Sequence, residues 1–385
     1  MGSNSRLLYV SKFRQKLNQI FDLEMTICVK GCIKIDELLY SIPNDIPCDY
    51  LTKLASFRFA GYEIANGQDP NILLASARKA KNHIQEIYDG WSIEHECLSP
   101  LDVNRESQYN DPGVNFCRKD SFSSKTLYIS IAQLISSVPA ISPRMNNQTL
   151  SIIETKSKLH LLLLKKFKQN LEVKSQKWIS RPFQYSSALN LDVAVAVLNI
   201  LIKRRTPDLP LVFLDPVCGS GTTLYVARSL GIKTVIGRDI KKACVEGSKI
   251  NLVHCEVFDE EYVKLSLQDS THSINSGKSL DSLAPNICIA NLPWGENTFE
   301  YYGENVNIIR CLGRELQSGC VCAFIVKEKD EKIILKHLNQ SLFLVEENIL
   351  IGSLTGIEGK NIDRGVKNRN KDTTTDCRII FALKL

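Results

Sequence analysis

The chain has 385 residues, 44% apolar and 23% charged, with 48 basic against 42 acidic side chains. This length favours two domains with a sizeable core, and the net charge of +6 permits an anionic partner without requiring one. No apolar stretch reaches membrane-spanning length, which excludes a helical membrane protein.

The opening "MGSNSRLLYV" lacks the apolar core of a signal peptide, and Arg6 breaks the myristoylation pattern. A cytoplasmic or nuclear location with no membrane association is therefore expected. The 13 cysteines include no C-x-x-C pair and no Cys/His cluster at zinc spacing, so they read as reduced, buried thiols and no metal site is expected.

Residues 1–155 are expected to form an α+β domain, either a scaffold or a unit that presents RNA. Within them, 72–91 carries apolar residues at helical spacing up to Gly90, and 99–125 is polar and rich in turn formers, as a long loop would be. Residues 156–180 hold Lys156, Lys158, Lys165, Lys166, Lys168, Lys174 and Lys177 around "LHLLLL". They read as a basic connector, either a solvated face or a surface that tracks phosphates.

From about 181 onward the texture becomes strand–helix alternation. The strands are "LVFLDP", "KTVIGRDI", "VKLSLQDS", "NICIANLP", "CVCAFIVKE", "LFLVEENILI" and "CRIIFALKL". The helices are "TTLYVARSLG", "KKACVEGSKINLVHC", "NVNIIRCLGRELQSG" and "EKIILKHLNQS". Repeated βα units with apolar strands predict a mostly parallel sheet covered on both faces. Two strands in succession at the end predict an antiparallel edge hairpin. Between them, 352–376 is Gly-rich and carries Lys360, Arg364, Lys367, Arg369 and Lys371. It reads either as a plain loop or as an arm for RNA phosphates.

Three strand ends are acidic. "LDPVCGSGTTL" runs from Asp215 through Cys218, Gly219 and Gly221 into a helix near Thr222, so backbone amides can approach a ligand at a helix N-terminus. It is neither a Walker A loop nor G-x-G-x-x-G. Asp239, followed by Ile240, ends the second strand, where a carboxylate can accept both hydroxyls of a ribose. Asp269 ends the third, within reach of an adenine amine. Alone, each Asp is equally a cap or turn former; together they describe a nucleoside-binding crevice.

The fourth strand ends in "NLPW" on the same edge. Pro293 stiffens the turn, the Asn291 side-chain oxygen and the Leu292 or Pro293 carbonyl can accept from one amine, and Trp294 offers a face for a base.

In these motifs residues 181–385 resemble a Rossmann-like class I S-adenosylmethionine-dependent methyltransferase of the amino-methylating branch. "DPVCGSGT" is similar to that family's first motif. "RPFQYSSALNLDVAVAVLNI" (181–200) resembles the segment before the first strand in THUMP-associated and tRNA guanosine-N2 RNA methylases. The resemblance implies S-adenosyl-L-methionine as cofactor, bound by Asp215, Cys218, Gly219, Gly221, Thr222, Asp239, Ile240, Asp269 and Asn291. It implies catalysis by Asn291, Pro293 and Trp294 on an exocyclic amine of RNA, with guanine N2 of tRNA as the leading target. Adenine N6 of RNA or DNA, and a protein glutamine amide, are the alternatives. Relatives of this kind also work with a small zinc-containing activator subunit.

Overall fold

The structure, a computed structural model, describes residues 7–11, 17–36, 38–80, 92–97, 149–155, 157–165, 177–185, 188–206, 209–272, 284–293, 302–351 and 376–385. In chain order the elements begin β1 (Leu7–Ser11), α1 (Asn18–Cys28), β2 (Ile33–Asp36), β3 (Leu39–Ile42), α2 (Cys48–Leu51), β4 (Phe57–Gly67) and α3 (Pro70–Lys79). They continue with β5 (Ser92–Cys97), β6 (Thr149–Glu154), β7 (Leu159–Lys165), α4 (Leu191–Arg204), β8 (Val212–Asp215), α5 (Thr222–Ser229), β9 (Thr234–Asp239) and α6 (Lys242–His254). The last are β10 (Val263–Leu267), β11 (Ile287–Asn291), α7 (Tyr302–Glu315), β12 (Val321–Lys327), α8 (Glu331–Gln340), β13 (Phe343–Ile351) and β14 (Cys377–Lys384).

The chain divides into two compact units, each with a seven-stranded sheet. The first comprises residues 1–13, 29–52 and 57–168, with strand order β2-β3-β1-β4-β7-β6-β5. All its pairs are antiparallel except β5 with β6. Helix α3 starts where the Asp69 carboxylate accepts from the amides of Asn71 and Ile72, and it closes at the Ala80 cap. The helical pattern predicted to Gly90 is thus realised over Pro70–Lys79, and 81–91 lies outside the described residues, as does the expected loop at 99–125.

Two boundaries differ from the linear division expected from sequence. Leu159–Lys165 is not a connector: β7 pairs with β4 on one side and β6 on the other. Its leucine run satisfies a strand with neighbours on both edges, and its lysines stand only at the ends. The second unit also takes in residues 14–28 and 53–56 together with 169–385. Glu24 of α1 accounts for this. Fully buried, it accepts from the amides of Ala55 (2.9 Å) and Ser56 (3.1 Å), from the Ser56 hydroxyl (3.0 Å) and from Asn199 Nδ2 of α4 (2.7 Å). Burial pushes its carboxyl up, and these four donors pull it back.

The second sheet has the order β10-β9-β8-β11-β12-β14-β13. The first five strands run parallel, and β14 pairs antiparallel with both β12 and β13, so the expected parallel sheet with an edge hairpin is present. Alternation along each strand feeds two cores. Phe213, Val235, Ile287, Ile289, Ala323 and Phe381 face a core shared with α1, α4 and α5. Val212, Leu214, Ile236, Cys288, Ala290 and Phe324 face one shared with α7 and α8. Among the described residues no helix is long and apolar enough to cross a membrane.

The first parallel strand, β8, lies between β9 and β11. The chain reverses its direction of travel across the sheet there, and a crevice opens at the carboxyl ends of the two strands. Asp215 and Asn291 are the terminal residues of those strands.

Candidate functional site

The turn after β8 is built by its own carboxylate. Asp215, 2% exposed, accepts through Oδ1 from Val217 N at 2.9 Å and through Oδ2 from the Thr223 hydroxyl. Burial pushes its pKa up to about 7; the hydrogen bonds of Thr223 and Val217 oppose the rise and the charge of Asp239 adds to it. Gly219 and Gly221 both have left-handed backbones, with φ of 53° and 85°. A Cβ at Gly221 would sit 3.1 Å from Ser248 Oγ, so glycine is required by both conformation and space. Ser248 donates to the Gly219 carbonyl at 2.8 Å. Cys218 is buried, and burial together with the charges of Asp215 and Asp239 pushes its thiol well above the usual range, leaving it a neutral packing group.

Asp239, at the end of β9, takes Gly219 N on Oδ2 and Lys241 N on Oδ1, each at 2.9 Å. Cys218 N donates to the Arg238 carbonyl at 2.8 Å. The first turn is therefore fastened to the second strand end. The third strand end joins them: Gln268 N donates to the Asp239 carbonyl at 2.9 Å, and Ser270 Oγ donates to the Pro216 carbonyl at 2.5 Å. Asp269 accepts from Thr271 N (2.9 Å) and Thr271 Oγ1 (2.6 Å), and its other oxygen faces His272 Nδ1 at 2.9 Å. Burial acts upward on this carboxyl, but those hydrogen bonds outweigh it and its pKa is lowered. Beside these acids Ile240 is 61% and Leu267 is 59% exposed, two apolar surfaces at one sheet edge.

On the other side of the switch point, Leu292 N donates to the Ile325 carbonyl at 3.1 Å, and the Pro293 carbonyl accepts from Asn305 Nδ2 at 3.1 Å. The turn after β11 is thus tied to β12 and to the first turn of α7. Trp294 lies outside the described residues.

The structure therefore brings Asp215, Cys218, Gly219, Gly221, Thr222, Asp239, Ile240 and Asp269 to one side of the switch point and Asn291 with Pro293 to the other. Sequence reasoning missed the residues that hold them. Asn251 of α6 accepts from Phe183 N (2.9 Å) and donates to the carbonyls of Phe183 (2.8 Å) and Ser220 (2.9 Å). The 177–185 segment is thereby fixed against the first turn. Tyr185 receives Lys241 Nζ at 3.0 Å. Arg238, 1% exposed, donates to Glu315 of α7 at 2.7 Å. Only Arg238 left a signal, as a charge inside the apolar run "TVIGRD". The others are polar residues whose partners lie far away in sequence.

The site's free polar groups match a cofactor with a nucleoside and a charged tail. Ser220 Oγ and Thr222 Oγ1 are buried with no hydrogen-bond partner among the described residues, at the mouth of α5 where amides point outward. Asp239 and Asp269 each retain lone pairs beyond those used. The donor and acceptor set fits.

No family model matches the chain. The tRNA (guanine(10)-N2)-dimethyltransferase of Methanothermobacter thermautotrophicus is 32% identical over 89 residues, 23% of this chain and 25% of that protein. The enzyme of the same description from Pyrococcus abyssi is 33% identical over 127 residues, 33% and 35% of the two chains. The match spans about a quarter to a third of the length of these curated relatives. Among solved structures, TrmN from Thermus thermophilus aligns with a TM-score of 0.54 at 14% identity, covering 99% of this chain and all of that one. The second unit has the class I methyltransferase fold. SMU.472, complexed with SAH, shares it at a TM-score of 0.51 and 11% identity, over 99% of this chain and 98% of that one.

Proposed function

We propose that the chain is an S-adenosylmethionine-dependent RNA methyltransferase that acts on an exocyclic base amine, guanine N2 of tRNA first. The observation that carries the proposal is the pairing at the switch point. The Asp215 strand end, to which we assign the cofactor, stands one strand from an Asn-Leu-Pro turn tied to β12 and α7. The similarity to tRNA guanine-N2 enzymes supports the choice of substrate.

Asp239 and Asp269 would hold the ribose and the adenine amine of the cofactor, Ile240 would cover the adenine, and Gly219, Gly221 and Thr222 would line its methionine end. When bound, the cofactor supplies a methyl group on a cationic sulfur. The target base is drawn out of its stack. Asn291 Oδ1 and the Pro293 carbonyl would accept hydrogen bonds from the two amine N–H groups and favour the pyramidal, nucleophilic form of the nitrogen. These residues would hold the nitrogen toward the methyl group that the cofactor supplies. Holding the two partners in line provides most of the acceleration. A neutral amide is no base, so the surplus amine proton would pass to solvent water and not to Asn291.

Incubation of the chain with methyl-labelled S-adenosylmethionine and unmodified total tRNA, followed by nucleoside analysis, tests this reading. N2-methylguanosine is the expected product. N6-methyladenosine would move the substrate and keep the chemistry, and no label in any nucleic acid would contradict the proposal.

A further inference from the structure

Asn305, twelve residues beyond Pro293, was not among the residues singled out by sequence, and it touches the proposed amine site. It stands in the first turn of α7 and is 6% exposed. Its Nδ2 donates to the Pro293 carbonyl at 3.1 Å. That contact settles which way the amide points, because only its nitrogen can face a carbonyl oxygen. Oδ1, one amide's width away, is buried and has no hydrogen-bond partner among the described residues. A buried acceptor without a donor is costly and rare enough to need a reason. A donor on a ligand at the adjoining Pro293 carbonyl is such a reason.

The two candidate bases differ in what they present there. On its Watson–Crick edge guanine carries two adjacent donors, the 2-amine and N1–H. Adenine carries the 6-amine beside N1, which is an acceptor. With either amine on the Pro293 carbonyl and N1 turned toward Asn305, that ring nitrogen meets only an oxygen.

We propose that Asn305 determines the specificity of the amine site: its Oδ1 accepts N1–H of a flipped guanine whose 2-amine lies against Asn291 and the Pro293 carbonyl. The inference rests on the amine-methylation reading above and narrows it to guanine. Adenine would set its N1 lone pair against Oδ1, leaving two acceptors face to face with no proton between them. Sites that read a donor in this way reject the analogue that lacks it far better than a shape-fitted pocket can. The same side chain also positions the Pro293 carbonyl, so one residue would couple recognition of the ring to orientation of the amine.

The test uses the full chain. The position it methylates in total tRNA is mapped, and RNA hairpins are made with guanosine or 2-aminopurine at that position. 2-Aminopurine keeps the 2-amine but has no proton on N1. The native chain is expected to favour guanosine by at least about tenfold in kcat/KM, the scale of one buried hydrogen bond. Asn305→Ala is expected to bring that ratio to within about twofold while leaving the affinity for S-adenosylmethionine unchanged. Equal use of the two hairpins by the native chain overturns the assignment whether or not the variant folds, and so does a ratio that survives in Asn305→Ala. If total tRNA yields N6-methyladenosine instead, the guanine assignment falls while amine methylation stands. If no RNA is labelled, both fall.

Discussion

Around Asp215 the acidic side chains are taken up by the protein itself, whereas the turn after Asn291 is held by neutral amides. Asp215 closes its own loop through Val217 and Thr223, and Asp239 holds Gly219 and Lys241. On the other side of the switch point, Leu292 N meets Ile325 O and Asn305 meets Pro293 O. The difference follows from the tasks proposed for the two halves. A cofactor pocket gains from fixed carboxylates, because a ribose or an amine can share their spare lone pairs. A nucleophilic amine gains from neutral acceptors, which align it without protonating it.

The largest expected effect comes from an ion pair that serves both halves. Arg238 stands beside Asp239, and Glu315 ends the helix that carries Asn305. Glu315→Ala leaves a guanidinium buried without its partner and should cost about 3–5 kcal/mol of stability, read from urea unfolding. A loss below about 1 kcal/mol would show that the halves are supported separately.

The next prediction concerns the cofactor half alone. The folded-state pKa of Asp215, raised to about 7, exceeds the unfolded value, so the folded protein holds a proton that the unfolded chain releases. The Asp215 contribution is then fully present below about pH 4 and is lost as the pH climbs to about 7. The contribution is about 4 kcal/mol across that window. Unfolding of the native chain and of Asp215→Asn, compared at several pH values, isolates this slope, because Glu24 and other groups contribute equally to both. The difference in stability between the two should grow from about pH 4 to about pH 7 and level off above that, and identical slopes within the window would refute the assignment.

A smaller effect is expected at Gly221. With φ at 85° and Ser248 Oγ 3.1 Å from the new methyl, Gly221→Ala should cost about 1–2 kcal/mol. It should also weaken S-adenosylmethionine binding, measured by calorimetry. Unchanged binding would mean that the turn does not line the pocket.

Much of this was legible in the sequence because it is local. Apolar runs such as "VCAFIVK" separated by amphipathic helices leave few folds other than a covered parallel sheet. Asp215, Asp239 and Asn291 end their strands as the pattern required, while β10 stops at Leu267 and Asp269 stands two residues beyond it. What stayed hidden depends on distant partners. The role of α1 in the second unit rests on Glu24 meeting Ala55, Ser56 and Asn199. No periodicity within 18–28 announces a carboxylate with four donors. Leu159–Lys165 was read by the lysines at its ends, although its pairing with β4 and β6 determines its state. Asn251 and Asn305 look like ordinary helical polar residues until their partners are known.

The division of the edge into a cofactor half and an amine half is tested most directly by two variants measured for both binding and turnover. Asp239→Ala should weaken S-adenosylmethionine binding by about a hundredfold, the scale of a lost pair of charge-assisted hydrogen bonds. Asn291→Ala should leave that binding largely intact and lose turnover by about a hundredfold or more. If Asn291→Ala instead kept near-native turnover, or lost cofactor affinity as fully as Asp239→Ala, the two halves would not have the separate tasks assigned to them.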